Sequence, residues 1–263
     1  MTEDSGLYTS QLGAGLGLVE ETGILLEIWR PGMDAASLYQ AALNSGGFPN
    51  ISARRLKNMV VECFAPRYLV DAGAPAQHLK KLGSALTSSE LAQLLLLYTC
   101  RANRILADFI RQSYWDRYMA GHDTMSNQDA RAFVKQALHD GKTRKCWSDN
   151  MVKRVSSYLT GCCADYGLLE KGRKSSRKML PFRLENKVAA YLAYDLHFAG
   201  LGDNRVIGHE DWALFGLDRS DARNELKRLS LKGYMIIQAA GDVSRISWHY
   251  PTMEALTDVI AQS

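Results

Sequence analysis

Through the first 120 positions, apolar residues recur at three- and four-residue steps, and two-residue alternation appears only later in the chain. A first helix is expected over GLGLVEETGILLEIW, stopping at Arg30-Pro31-Gly32. Asp34 is placed to cap AASLYQAALN, which runs out at Gly46-Gly47. Ser52 is placed to cap ARRLKNMVVECFA, where Leu56, Val60, Cys63 and Phe64 form one stripe and Pro66 is expected to close the helix. TSSE at 87–90 is a capping box ahead of a long helix carrying Leu91, Leu94, Leu95, Tyr98, Ile105 and Phe109. Residues 1–121 therefore read as a helical bundle, although YWDRYMAG reads equally as an extension of that last helix.

The pattern then changes. In residues 122–184, NQDARAFVKQALHD places Ala130, Phe133, Val134, Ala137 and Leu138 on one side. After the break GKTR, a second helix turns Trp147, Met151, Val155, Leu159, Cys162 and Tyr166 inward and ends at Gly167. LLE, a polar turn and MLPFRL follow, two short apolar runs that predict a β-hairpin. Residues 185–263 repeat this ending: helices over ENKVAAYLAYDLHFAG, HEDWALFGL and DRSDARNELKRLSLKG, then YMIIQ, the turn AAGD and VSRISWHY. Helix, short helix, helix and a two-stranded wing is the order of a winged helix-turn-helix. The fold class expected is mainly α: a helical bundle followed by one or two winged-helix-like modules with short hairpin wings.

Charge sharpens this picture. The total is only +4, but residues 142–187 hold twelve Lys or Arg against four acids, a local balance of +8. KGRKSSRKML at 171–180 puts Lys171, Arg173, Lys174, Arg177 and Lys178 at the tip of the first expected hairpin. Such a block in isolation usually just faces water. At the end of a wing it would meet duplex DNA, which carries about one negative charge per 1.7 Å of axis. Lys153 and Arg154 on the preceding helix extend the patch. On the 220–231 helix, Ser220, Arg223, Asn224, Lys227 and Arg228 lie off the apolar stripe. Arg and Asn can bond purine edges twice, and Lys neutralises phosphate.

Other chemistry finds little support. With 46% hydrophobic and 23% charged residues, the composition is that of an ordinary globular chain. Five cysteines (63, 100, 146, 162, 163) without repeating spacing argue against a disulfide framework or zinc site and for a reducing, cytoplasmic setting. MTEDSGLYTS lacks a basic n-region, and LLLLY at 94–98 is far too short for a membrane span. GAGLG at 13–17 lacks the spacing of a phosphate loop, so packing through small residues accounts for it. The six histidines show no HxxxH or HExxH. HED at 209–211 fits a helix N-terminus, where acids favour the dipole, and Cys162-Cys163 fits core packing. No enzyme, metal or cofactor is expected.

YTSQLGAGLGLVEETGILLEIW with ISARRLKNMV, and DWALFGLD with LKRLSLKGYMIIQAAGDVSRISWHY, resemble the BrxA family of BREX bacteriophage-defence systems over nearly the whole chain. The resemblance implies a small cytoplasmic accessory protein that binds DNA without catalysis. It also implies a fold resembling, in part, the RNA-binding antitermination factor NusB, which suits the helical first segment. No contact residue is carried over from the family. Double-stranded DNA is the first partner expected, with other BREX proteins beside it. An adaptor that docks another subunit and an RNA-binding NusB-like factor are the alternatives.

Overall fold

The computed structural model describes residues 7–10, 17–172, 174–240 and 243–262, and is mainly helical. Two compact units divide it: Met1–Lys80 with Leu95–Phe182, and Lys81–Leu94 with Arg183–Ser263.

The first unit opens with α1 (Val19–Ile28) and α2 (Ala35–Asn44), the latter capped by Asp34, whose carboxylate accepts the Ser37 N–H at 2.8 Å. Ser52 caps α3 (Ala53–Asn58) as expected. Pro66, however, does not close that helix. The chain continues through a π-helical segment, Met59–Phe64, into α4 (Ala65–Tyr68). The Ala65 N–H reaches Val60 O, five residues back, and this wider turn leaves room for a ring that has no N–H to donate. Next come α5 (Ala74–Leu82) and α6 (Ser88–Ala102), whose residues from Lys81 to Leu94 belong to the second unit, α6 being capped reciprocally by Thr87 and Glu90. The expected long helix breaks at Asn103 (φ −135°, ψ 87°), so Ile105 and Phe109 belong to α7 (Arg104–Phe109). A π-helical stretch, Ile110–Tyr114, joins α7 to α8 (Trp115–Met119), which holds much of YWDRYMAG.

Strand β1 (Thr124–Ser126) leads directly into α9 (Asn127–His139), with Ser126 and Asp129 closing a capping box. α10 (Asp149–Asp165) starts from a Ser148 cap, so Trp147 lies just before the helix rather than within it. Val152, Val155, Leu159, Cys162 and Cys163 are buried along its inner side. Gly167, at φ +78°, turns the chain out of α10 through the left-handed region that a side chain would strain.

The expected hairpin over 168–180 is present in reduced form. Leu169 and Met179 share one antiparallel bridge, supported by Glu170 N–H to Lys178 O (2.8 Å) and Leu180 N–H to Leu168 O (3.0 Å). The longer pairing of β2 (Ser176–Lys178) is with β1, in the register Thr124–Lys178, Met125–Arg177 and Ser126–Ser176. The 176–179 run thus bonds on both edges. β1 is invisible to sequence periodicity because three residues, Thr-Met-Ser, are too few to show a period.

In the second unit, the buried Gln93 supports the start of α11 (Asn186–Phe198), its amide accepting from the Glu185 N–H and donating to Arg183 O. A short α12 (Asp203–Ile207) and a 3-10 turn, Glu210–Phe215, precede α13 (Arg219–Leu231), which is capped by Asp218 and Asp221. β3 (Met235–Ala240) and β4 (Val243–Trp248) pair in full register, and α14 (Met253–Gln262) packs on α11. Asp203 Oδ2 accepts the Ile246 N–H (2.9 Å) and Asn204 Oδ1 accepts the Ser244 N–H (3.2 Å). Side chains of α12 therefore occupy the β4 edge where a third strand would pair. In this unit α12 and α14 have no counterpart among the elements expected from sequence, as α5 and β1 have none earlier in the chain.

Candidate nucleic-acid interface

In the first unit, α10 and the turn into β2 present the basic residues. Lys153, Arg154 and Ser157 are exposed on α10, one turn apart. Arg154 Nε reaches the Tyr158 hydroxyl at 3.3 Å and its guanidinium lies 5.9 Å from that ring's centroid, so the half-buried Tyr158 steers an exposed cation. Sequence reasoning passed over Tyr158; its i+4 spacing from Arg154 was the available signal. Arg144 and Lys145, exposed in the α9–α10 connection, were counted in the charge but not placed in the site. That connection is held by Tyr8. Its N–H donates to Lys142 O (2.7 Å), its ring lies under Lys142 Nζ, and its hydroxyl donates to Asp108 Oδ2 at 2.7 Å. Burial and the bond to Asp108 push the Tyr8 phenol up.

At the turn, Lys171, Lys174 and Lys178 are exposed; Arg173 lies outside the described residues. Lys174 Nζ is 3.5 Å from Glu170, an exposed pair that water screens readily. Lys171 lines a cavity of about 230 Å³ together with Arg55, Glu20, Glu21 and Asp165, so that flank of the turn is mixed in sign. Gly17, the described end of the GAGLG stretch, donates its N–H to Asp165 Oδ2 (2.8 Å). A side chain there would overlap Asp165 Cβ, which makes close packing the use of this glycine. Arg177 differs from its neighbours. It pairs across from the buried Met125, its Nη1 donates to Thr160 O in α10 at 3.0 Å, and its Nε is buried. Arg177 ties β2 to α10 and projects away from the exposed lysines.

This geometry predicts that Arg177→Ala lowers stability by about 1.5–3 kcal/mol, the range for a hydrogen bond from a charged group. Its effect on the salt dependence of nucleic-acid binding should stay below that of one phosphate contact. A thermal melt and a salt series on the same variant check both halves.

Arg117 locks the entry to this region: its Nε donates to Thr124 O (2.7 Å) and its Nη1 lies 3.3 Å from Asp129 Oδ1. Burial alone would raise the Asp129 carboxyl. The Ser126 hydroxyl and N–H, with the Arg117 and His122 charges, outweigh burial and hold it below the usual carboxylate value. The stability this contributes is complete above the unfolded value near pH 4 and fades as pH falls through the lower folded one. Asp129→Asn should therefore lose stability at neutral pH and show a shallower acid transition, read by circular dichroism against pH.

In the second unit, Ser220, Asn224 and Lys227 are exposed on α13 and Arg223 is half-buried beside them. Arg228 is drawn sideways onto Glu225 (2.9 Å), whose carboxylate is nearly buried. Leu231, at the end of this face, is 90% exposed and was not singled out from the sequence, where it reads as one more apolar residue of the helix.

Thiol chemistry is suppressed where the thiols are buried. Burial pushes the Cys162 thiol up to about 12 and Cys163 well above its usual value, leaving both protonated. Among the described residues, no three His, Cys, Asp or Glu side chains gather to hold a metal ion, and no helix is long and apolar enough to cross a membrane.

A family model described as BrxA matches residues 6–195. The chain belongs to the BrxA family. That span takes in the first unit and most of α11, while α12, α13 and the β3–β4 pair of this BrxA-family chain lie beyond it. Membership gives the chain a BREX-associated role among other BREX proteins. No curated protein matches it. The crystal structure of an uncharacterized protein from Magnetospirillum magneticum is similar at 13% identity, covering 73% of this chain and 94% of that one with a TM-score of 0.56. At that identity the likeness speaks to fold alone.

Proposed function

We propose that this BrxA-family protein is a non-enzymatic, largely sequence-tolerant binder of double-stranded DNA that serves as an accessory component of a BREX phage-defence system. The observation that carries the reading is the order of elements from 104 to 179. Helix, β1, α9, α10, the 168–170 run, a basic turn and β2 follow in sequence, with the last strand bonded between the other two. We read this order as that of a winged helix, in which the helix before the wing enters the major groove and the wing follows the backbone. Here those positions hold Lys153 and Arg154 on α10 and Lys171, Lys174 and Lys178 around the turn. α11 to β4 supports a second module of the same kind, with Asp203 and Asn204 standing in for its first strand. The mainly helical character of the first unit suits the NusB-like bundle that the resemblance implies.

The test is fluorescence anisotropy on labelled duplex across a salt series. Phosphate-driven binding gives log affinity falling linearly with log salt, at about 0.9 per phosphate neutralised. Structured RNA as competitor separates the RNA-binding alternative. One observation favours the adaptor reading: Ile236 and Val243 stand 49% and 64% exposed on the outer face of the β3–β4 pair. Co-purification of a BREX partner that survives nuclease and about 0.5 M salt, where phosphate contacts are largely screened, would establish it.

A further inference from the structure

The two units offer DNA chemically different surfaces. On α13, Ser220, Arg223, Asn224, Lys227 and Leu231 fall within about 100° of one another at 3.6 residues per turn, and no carboxylate of the helix lies on that stripe, while the N-cap Asp218 lines a cavity with Ser220 and Arg223 at its start. Asp221 is turned into the helix cap and Glu225 is nearly buried against Arg228, so both acids of the helix are spent elsewhere. The described outer face of the adjoining β3–β4 pair carries one cation, Arg245, beside Ile236, Gln238, Val243 and Ser247. The wing of the first unit carries three lysines over a shorter run. Exposed cations stand in both units, since Arg219, Lys227, Arg228 and Lys232 lie on or just after α13.

What α13 has besides cations is the set of groups that distinguish base edges. An amide can bond adenine N6 and N7 together, a guanidinium can bond guanine O6 and N7, and an apolar side chain meets the thymine methyl. Leu231 is the most exposed large apolar side chain of the described residues, and it extends the same stripe. An isobutyl group held in water at the end of a polar face, far along the helix from Asp218, is matched by a groove lined with base edges and methyl groups, and is of no use to a phosphate.

We infer that α13 is the base-reading element of this protein, with Asn224 and Leu231 its specificity-determining residues, while the exposed cations of both units supply the salt-dependent affinity. This rests on the duplex-binding reading and adds to a mostly sequence-tolerant affinity a modest preference, of the order of one bidentate contact.

The experiment is selection from a randomised duplex pool with the full-length protein at physiological salt. The enriched and scrambled duplexes are then titrated against the native chain and the Asn224→Ala/Leu231→Ala variant. Both residues are exposed, so the fold should survive, and a thermal melt checks this. The native protein should prefer the enriched duplex by about 10-fold or more. The variant should lose that preference and change its salt slope by less than one phosphate contact. Duplex binding with no enriched sequence, or a preference that survives the double substitution, overturns the inference and leaves the function standing. Failure to bind any duplex overturns both.

Discussion

Replacing Lys171, Lys174 and Lys178 together with alanine should remove roughly three units from the slope of log affinity against log salt, about one for each phosphate that is no longer neutralised. All three side chains are exposed around the turn into β2, and only Lys174 has an ion-pair partner among the described residues, the equally solvated Glu170. Their removal takes nothing from the core, so the melting temperature should move little. A large fall in salt dependence with an unchanged melt is the signature of a phosphate-holding turn. An unchanged slope would exclude these residues from the interface and move the weight to Lys153, Arg154, Arg144 and Lys145. Arg177→Ala is the natural contrast: two positions one residue apart on the same strand should give opposite results. β2 alternates, sending Lys178 outward and Arg177 toward α10.

Trp212→Ala should cost the second unit about 3–5 kcal/mol, the usual loss for a large aromatic side chain taken from a packed core. Trp212 is 1% exposed, and its indole N–H donates to Val206 O at 2.7 Å, so the substitution opens a cavity and leaves that carbonyl with the longer bond from the His209 N–H at 3.4 Å. Against a domain stability of roughly 5–15 kcal/mol, that is a large share. Amides of α13 and of the β3–β4 pair should lose most of their protection from hydrogen exchange, and Trp212→Phe should restore part of it. Protection left intact in the alanine variant would mean that the 3-10 turn does not hold the unit together. The same variant should lose any base preference carried by α13, because the helix no longer has a fixed surface to pack on.

Much of the architecture is written in the chain. Asp34, Ser52, Thr87, Ser126, Ser148 and Asp218 each begin a helix by bonding backbone N–H groups two or three residues on. This is local chemistry that needs no tertiary partner. The three- and four-residue apolar steps fix which side of each helix is buried. The alternation in VSRISW fixes β4, where Ser244 and Ile246 turn in while Val243 and Arg245 turn out. The concentration of positive charge between 142 and 187 is likewise a property of sequence alone.

Tertiary structure decided which of those charges face outward. From sequence, Arg177 and Lys178 are two members of one basic run. Pairing β2 with β1, a strand some fifty residues earlier and too short to show a period, gives them opposite faces and makes one an anchor. The π-helical passage through Pro66 and the break at Asn103 are also settled by packing, since helix propensity alone argues for the reverse at each place. Leu231 is the sharpest case. Its spacing marks it as one more apolar residue of α13, but the helix reaches its end there and the side chain stands in solvent. Sequence periodicity records which side of a helix a residue occupies. Whether anything covers that side is set by elements that arrive from elsewhere in the chain, and the candidate site lies where nothing does.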